Sequence, residues 1–330
     1  MTDVQTQEKP SSLKLVLAFA AVYLIWGSTY LGIRYAIETI PMFLFAGTRF
    51  LIAGAVLYLW ARARGAERPD WTNWRTATII GALLLLGGNG LVVMAEQTVP
   101  SGLAALLIAT EPLMIVLLNW ARTGGERPSG RVSLGLALGL VGMFLLVGPA
   151  NIAGEGEVNL FGAGLVMVAS MSWAAGSLYA MKAKTASSPV LAAGMQMLAG
   201  GTLLLAIGLA KGETSGFRIS DVSLRSAVAH FYLIIFGSII AFTCYSWLLK
   251  VTPPSLASTY AYVNPVVAVI LGWAVAGEPI TLRTMIATAV IVAAVIIITS
   301  HKKPDTAPAE RKSAKKEANR FAEKIVRRAP

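Results

Sequence analysis

Apolar positions in this chain show neither the 3.6-residue rhythm of a half-buried helix nor the alternation of a half-buried strand. They gather in unbroken blocks of about 20 residues separated by short polar links. A helix rising 1.5 Å per residue needs about 20 such residues to cross roughly 30 Å of hydrocarbon. Ten blocks meet that length: Leu13 to Tyr35, Met42 to Ala61, Thr76 to Ala95, Ser101 to Trp120, Val132 to Pro149, Leu160 to Met181, Pro189 to Ala210, Phe231 to Leu249, Leu256 to Ala276 and Leu282 to Ser300. The blocks are apolar all round, whereas membrane-barrel strands alternate. The pattern therefore predicts an all-α integral membrane protein of ten transmembrane helices. Gly135 and Gly139, four residues apart, fit close backbone approach between packed helices.

Composition sharpens this reading. Of 330 residues, 55% are hydrophobic and 14% charged, against about 25% charged in soluble domains. Too few charges remain to cover two soluble domains. Residues 1 to 14 are polar and lead into the first block without a small-residue cleavage site, which predicts a first span and not a cleaved leader. The single cysteine, Cys244, lies in an apolar block, so no disulfide framework is expected.

The net charge of +11 would suggest nucleic acid in a soluble protein, but its placement points to a membrane topology and to no nucleic acid partner. With ten spans and both termini cytoplasmic, 22 of the 28 Lys and Arg residues fall on the cytoplasmic side, five fall outside, and Arg49 lies within a span. Enrichment of basic residues in short cytoplasmic loops is the expected orientation signal. Segment 1–12 is then a cytoplasmic lead. Residues 301–330 form a basic cytoplasmic tail suited to anionic lipid.

The chain repeats itself at a spacing of about 150 residues. Trp26-Gly27-Ser28 is echoed by Trp173 to Ser177, LFAGTRFLIAG from Leu44 by LAAGMQMLAGG from Leu191, and Pro100-Ser101 by Pro254-Ser255. Pro112 after Glu111 matches Pro265 after Asn264, and these prolines are predicted helix breaks. Two halves, 13–150 and 159–300, with five spans each must enter the bilayer from opposite faces. Such a 5+5 inverted repeat suits alternating access around a central cavity, with a site near the interrupted helices.

The stretches IWGSTY from Ile25, AGTRFLIAG from Ala46, GNGLV from Gly88, VPSGLA from Val99, SWAAGS from Ser172, FGSII from Phe236 and YAYVNPVVAV from Tyr260 together resemble the EamA family of the drug/metabolite transporter superfamily and its YedA-like permeases. The resemblance implies a ten-helix inverted fold and a secondary transporter that exports amino acids, related small metabolites or drugs across the cytoplasmic membrane. Uptake or facilitated passage of a small metabolite is the alternative. An intramembrane enzyme or a channel is a reading of another class, disfavoured because neither a converging catalytic set nor repeated polar rings stand out.

Ionisable groups inside a bilayer normally face the protein interior with a partner. Arg49 and Glu111 lie seven and ten residues into spans entered from outside, both about 10 to 15 Å deep. The expectation is an intramembrane pair, either a gate or solute clamp or a structural lock, with Glu111 also a candidate for coupling to a proton gradient. The other cavity candidates are Trp26, Ser28, Thr29, Tyr30, Asn89, Trp173, Ser177, Gln196, Tyr260 and Asn264. Tyr179, Trp247 and Trp120 read as interfacial belt residues, and Glu96, Arg34 and His230 as solvated span ends. With two histidines and one cysteine, no metal site of those ligands and no cofactor are expected. No nucleotide-binding loop is present, so gradients must drive transport. Expected partners are membrane lipids and a small solute; monomer and homodimer stay open.

Overall fold

The computed structural model describes residues 11–99, 104, 107–121, 127–147, 159–276 and 282–299. The segment before Ser11, the Pro100-Ser101 motif, the link carrying Glu155 and Glu157, and the tail 301–330 lie outside the described residues. Among the described residues the structure is helical throughout, without strands. The helices are α1 Ser12–Ala36, α2 Met42–Ala63, α3 Trp71–Ala95, α4 Glu111–Ala121, α5 Gly130–Val147, α6 Leu160–Lys182, α7 Pro189–Ala210, α8 Leu224–Val251, α9 Tyr260–Ala276 and α10 Leu282–Thr299. Six of them (α1, α2, α3, α6, α7 and α8) are long and apolar enough to cross a membrane, and the other four are shorter apolar helices.

Hydrogen-bonding side chains, not hydropathy, set several helix starts. Asp70 accepts from the Asn73 amide at 2.7 Å while Asn73 Oδ1 accepts from the Asp70 amide, a capping box that starts α3 five residues before the apolar block. The Ser223 hydroxyl accepts from the Ser226 amide at 3.1 Å and so starts α8 seven residues ahead of the expected block. Large apolar side chains point outward, including Leu24 at 62% exposure, Leu59 at 65% and Phe161 at 69%. That surface is inverted relative to a soluble protein and suits lipid, where apolar exposure carries no hydration cost.

The centre is a seam between α2 and α7. A Cβ on Gly47 would lie 2.8 Å from the Leu205 amide nitrogen, and one on Gly194 would lie 2.8 Å from that of Tyr58. Likewise a Cβ on Gly54 would meet the Leu198 amide at 2.8 Å, and one on Gly201 the Leu51 amide at 2.9 Å. Only glycine lets the two backbones approach this closely. Each member of a contact sits 147 positions from its counterpart in the matching contact: Gly47 with Gly194, Tyr58 with Leu205, Gly54 with Gly201 and Leu51 with Leu198. The two helices thus swap roles across an antiparallel register.

A looser likeness appears beside the seam, between Gly27 and Ala174, 147 residues apart. Gly27 of α1 lies against Val267 of α9, and Ala174 of α6 packs with Ile115 of α4. Residues 82–90 of α3 and 233–242 of α8 are π-helical, a wide winding common at functional sites. The helices expected to break at Pro112 and Pro265 are interrupted earlier. Before α4, the Thr110 hydroxyl and amide both bond to the Leu107 carbonyl; before α9, Thr259 does the same to Leu256. Pro112 then falls in the first turn of α4, where a missing N–H costs nothing, while Pro265 lies inside α9.

Candidate functional site

A cavity opens beside the seam, enclosing about 660 Å³ of empty space counted to its mouth, and it draws on α1, α2, α3, α4, α6, α8 and α9. Trp26, Thr29, Tyr30, Asn89, Glu111, Trp173, Tyr260 and Asn264 line it, as does Arg49. Three of the expected residues do not. Ser28 bonds the Tyr232 hydroxyl at 2.5 Å and the Ile25 carbonyl, Ser177 bonds Tyr245 at 2.7 Å, and Gln196 is buried on α7 where that helix backs onto Gly81 of α3. Their helical faces turn them into helix contacts.

One side of the cavity is an aromatic cluster. Trp26 of α1 meets Trp173 of α6 edge-on at 5.5 Å and 83°, and Tyr260 of α9 at 4.9 Å. Tyr245 packs under all three, 5.0 Å from Trp26, 5.8 Å from Trp173 and 5.4 Å from Tyr260. Each such pair adds about 0.5–1.5 kcal/mol beyond area burial. The indole hydrogens are used: Trp173 Nε1 donates to Tyr245 Oη at 3.1 Å, and Trp26 Nε1 to the Gly237 carbonyl in the π-helical part of α8 at 3.1 Å. Opposite it, Gly88 in the π-helical part of α3 lies against the Trp173 ring, where a Cβ would come within 2.5 Å.

The acid Glu111 is 1% exposed and its Oε2 accepts from the Tyr260 hydroxyl at 2.5 Å. Asn264, oriented by its neighbours, donates to the Tyr260 carbonyl at 3.0 Å and the Tyr23 carbonyl at 3.3 Å. Arg49 is 3% exposed, donates through Nε to Ser238 Oγ at 2.8 Å, and stacks on Phe50 with 4.8 Å to the ring centroid. The expected Arg49–Glu111 pair is not formed. Among the described residues the one ion pair joins Arg225 to Glu38 at the surface, at 3.6 Å. Arg49 is held toward α8 by Ser238 while Glu111 is held toward α9 by Tyr260.

Several polar atoms in the cavity wall are buried without a hydrogen-bond partner: Arg49 Nη1, Asn89 Oδ1, Glu111 Oε1 and Ser170 Oγ. Ser170 escaped the sequence reading; it lies three residues before Trp173, on a helix whose apolar composition hides which face looks inward. Glu96 and His230 also depart from expectation, since both Glu96 carboxylate oxygens and His230 Nε2 are buried, with His230 stacked edge-on against Phe45 at 5.3 Å. Arg34, Tyr179 and Trp120 are exposed as expected, and Trp247 is half-buried. No group of three or more metal-binding side chains occurs among the described residues.

The chain matches the model of the EamA-like transporter family twice, over residues 13–148 and 160–300. It is 40% identical over 303 residues to the uncharacterized inner membrane transporter YedA of Escherichia coli (strain K12), covering 90% of this chain and 95% of that one. The uncharacterized transporter YvbV of Bacillus subtilis (strain 168) is 24% identical over 297 residues, covering 89% and 94%. A protein of known crystal structure, 22% identical, superposes with a TM-score of 0.69 over 88% of this chain and 98% of its own, which shows a shared fold. With both halves matched by the family model and a near full-length relative at this identity, the chain belongs to the EamA-like transporter family.

Proposed function

We propose that this protein is a secondary transporter of the inner membrane that exports amino acids or related small metabolites by alternating access. In this reading ten helices cross the bilayer as two oppositely inserted halves, 13–150 and 159–300, with both termini cytoplasmic. The observation that carries it is the exchange of contacts at the seam: Gly47 meets Leu205 as Gly194 meets Tyr58, and Gly54 meets Leu198 as Gly201 meets Leu51. Two halves that pack on each other through interchangeable contacts can trade conformations at little energetic cost, which is what alternating access requires.

The cavity is the solute site in this reading. Its lining is polar at a few points and aromatic or aliphatic elsewhere, the usual make-up of a small-molecule pocket. Glu111, buried and bound to Tyr260, is the group through which a proton gradient would couple. The two family-model matches and the names of the relatives support transport.

Two measurements test this. Single cysteines placed in 151–158 and in 301–330 of a Cys244→Ser background are labelled from outside; the first reacts and the second does not. Reaction of both from one side ends the inverted-halves reading. Proteoliposomes loaded with unlabelled amino acids then accumulate labelled ones by saturable counterflow, while flux that never saturates would indicate a pore.

A further inference from the structure

Arg49 is the cavity's unresolved charge. Its Nε is used by Ser238 and its Nη2 lies against Gly237, where a Cβ would come within 2.8 Å, but Nη1 is buried with no acceptor. Charges near it do not neutralise it. Glu111 of α4 shares the cavity but spends one oxygen on Tyr260 and is not within ion-pair distance; the other titratable neighbour, His230 of α8, adds no negative charge. A guanidinium buried without a counter-charge is costly, and an ionisable side chain kept inside a membrane span marks a candidate functional site.

We propose that Arg49 is the anchor for the carboxylate of the transported solute, which is therefore a small organic carboxylate with an apolar body. The assignment rests on the cavity being the transport site. A carboxylate matches the planar guanidinium fork in shape and charge and supplies the acceptor that Nη1 lacks. A phosphate or other dianion fits poorly, because Arg49 is the one cationic side chain among the described residues of the lining. Around the charge the wall is Tyr30, Ile33, Phe50, Leu85, Val92 and Ile108, which accepts an apolar body. Glu111 Oε1 and Asn89 Oδ1, on two other helices of the same lining, are likewise without a hydrogen-bond partner. The sequence pattern gave Arg49 an internal acid partner; its absence turns the residue toward the ligand.

The test is thermal unfolding of purified full-length protein with probes that differ only at the acid: phenylacetate against phenylacetamide, butyrate against butyramide, and L-leucine against L-leucinamide. Carboxylates should raise Tm at concentrations at least about tenfold below those their amides need. Arg49→Gln should erase that difference, and Arg49→Lys should keep part of it. Equal stabilisation by acid and amide in the unaltered protein overturns the proposal, as does discrimination that survives in well-folded Arg49→Gln. The first comparison needs no variant, so misfolding cannot protect the idea. The cavity reading fails separately: Ser170→Trp, which fills the cavity, would then leave both probe binding and counterflow intact. A protein in which Ser170→Trp blocks counterflow while acid and amide bind alike loses the carboxylate assignment alone.

Discussion

Arg49 and Gln196 stand at matching positions of α2 and α7, 147 residues apart, and Glu111 and Asn264 match on α4 and α9, 153 residues apart and each directly before a proline. At both pairs one half carries a charge and the other a neutral amide. The glycines around them are matched in kind and in contact, Gly47 with Gly194 and Gly54 with Gly201. Backbone packing is therefore near-symmetric while chemistry is not. The difference teaches that packing and wall chemistry are set separately: close approach of α2 and α7 needs glycine on both sides, whereas the charges Arg49 and Glu111 stand in the first half alone.

The largest effect expected is at the seam. Gly54→Leu and Gly201→Leu should each abolish folded protein, because the new side chain meets backbone that cannot move aside, at a cost of about 3 kcal/mol or more. Gel filtration of detergent extracts checks this, and tolerance of one but not the other would break the equivalence of the two sides.

An intermediate effect is expected at the acid. Glu111→Gln should lower transport about tenfold or more and flatten its dependence on pH between about 5 and 9, with only a small change in Tm. Adding Asn264→Asp should not restore it, since the charge would then sit on the other half. Proteoliposome flux measured across that range reads the outcome, and rescue by the second change would mean that the halves share their chemistry as well as their packing.

The smallest effect is at Tyr260. Tyr260→Phe removes the hydrogen bond to Glu111 and should cost about 0.5–1.5 kcal/mol. Combined with Glu111→Gln the loss should be less than additive, because both changes remove the same contact. Full additivity in thermal unfolding would separate the two residues.

The helical class and the matched motifs were legible in the chain because they depend on local quantities, block length and residue order. Helix ends were less so: Asp70 and Ser223 extend α3 and α8 well beyond the apolar blocks through side-chain caps that hydropathy ignores. The prolines marked the right helices but not the breaks, which fall at Thr110 and Thr259, where hydroxyls bond to Leu107 and Leu256. Of the cavity wall, Trp26 and Trp173 were marked by a repeated motif, whereas Tyr245 beneath them was in none. Ser170 was not marked either, since an all-apolar helix carries no rhythm that says which side faces inward.

By itself the sequence determined that the chain belongs in lipid, that its halves are related, and that Arg49 and Glu111 lie inside, since each follows from composition and order along one dimension. It left Glu96 and His230 at solvated span ends, where the structure buries both Glu96 carboxylate oxygens and His230 Nε2. Only the tertiary structure decided where the inner charges point. Residue order alone predicts similar depth for Arg49 and Glu111, yet Ser238 and Tyr260 hold them on different walls. Depth along a helix is set by residue number, but direction around it is set by which neighbouring helix supplies the partner.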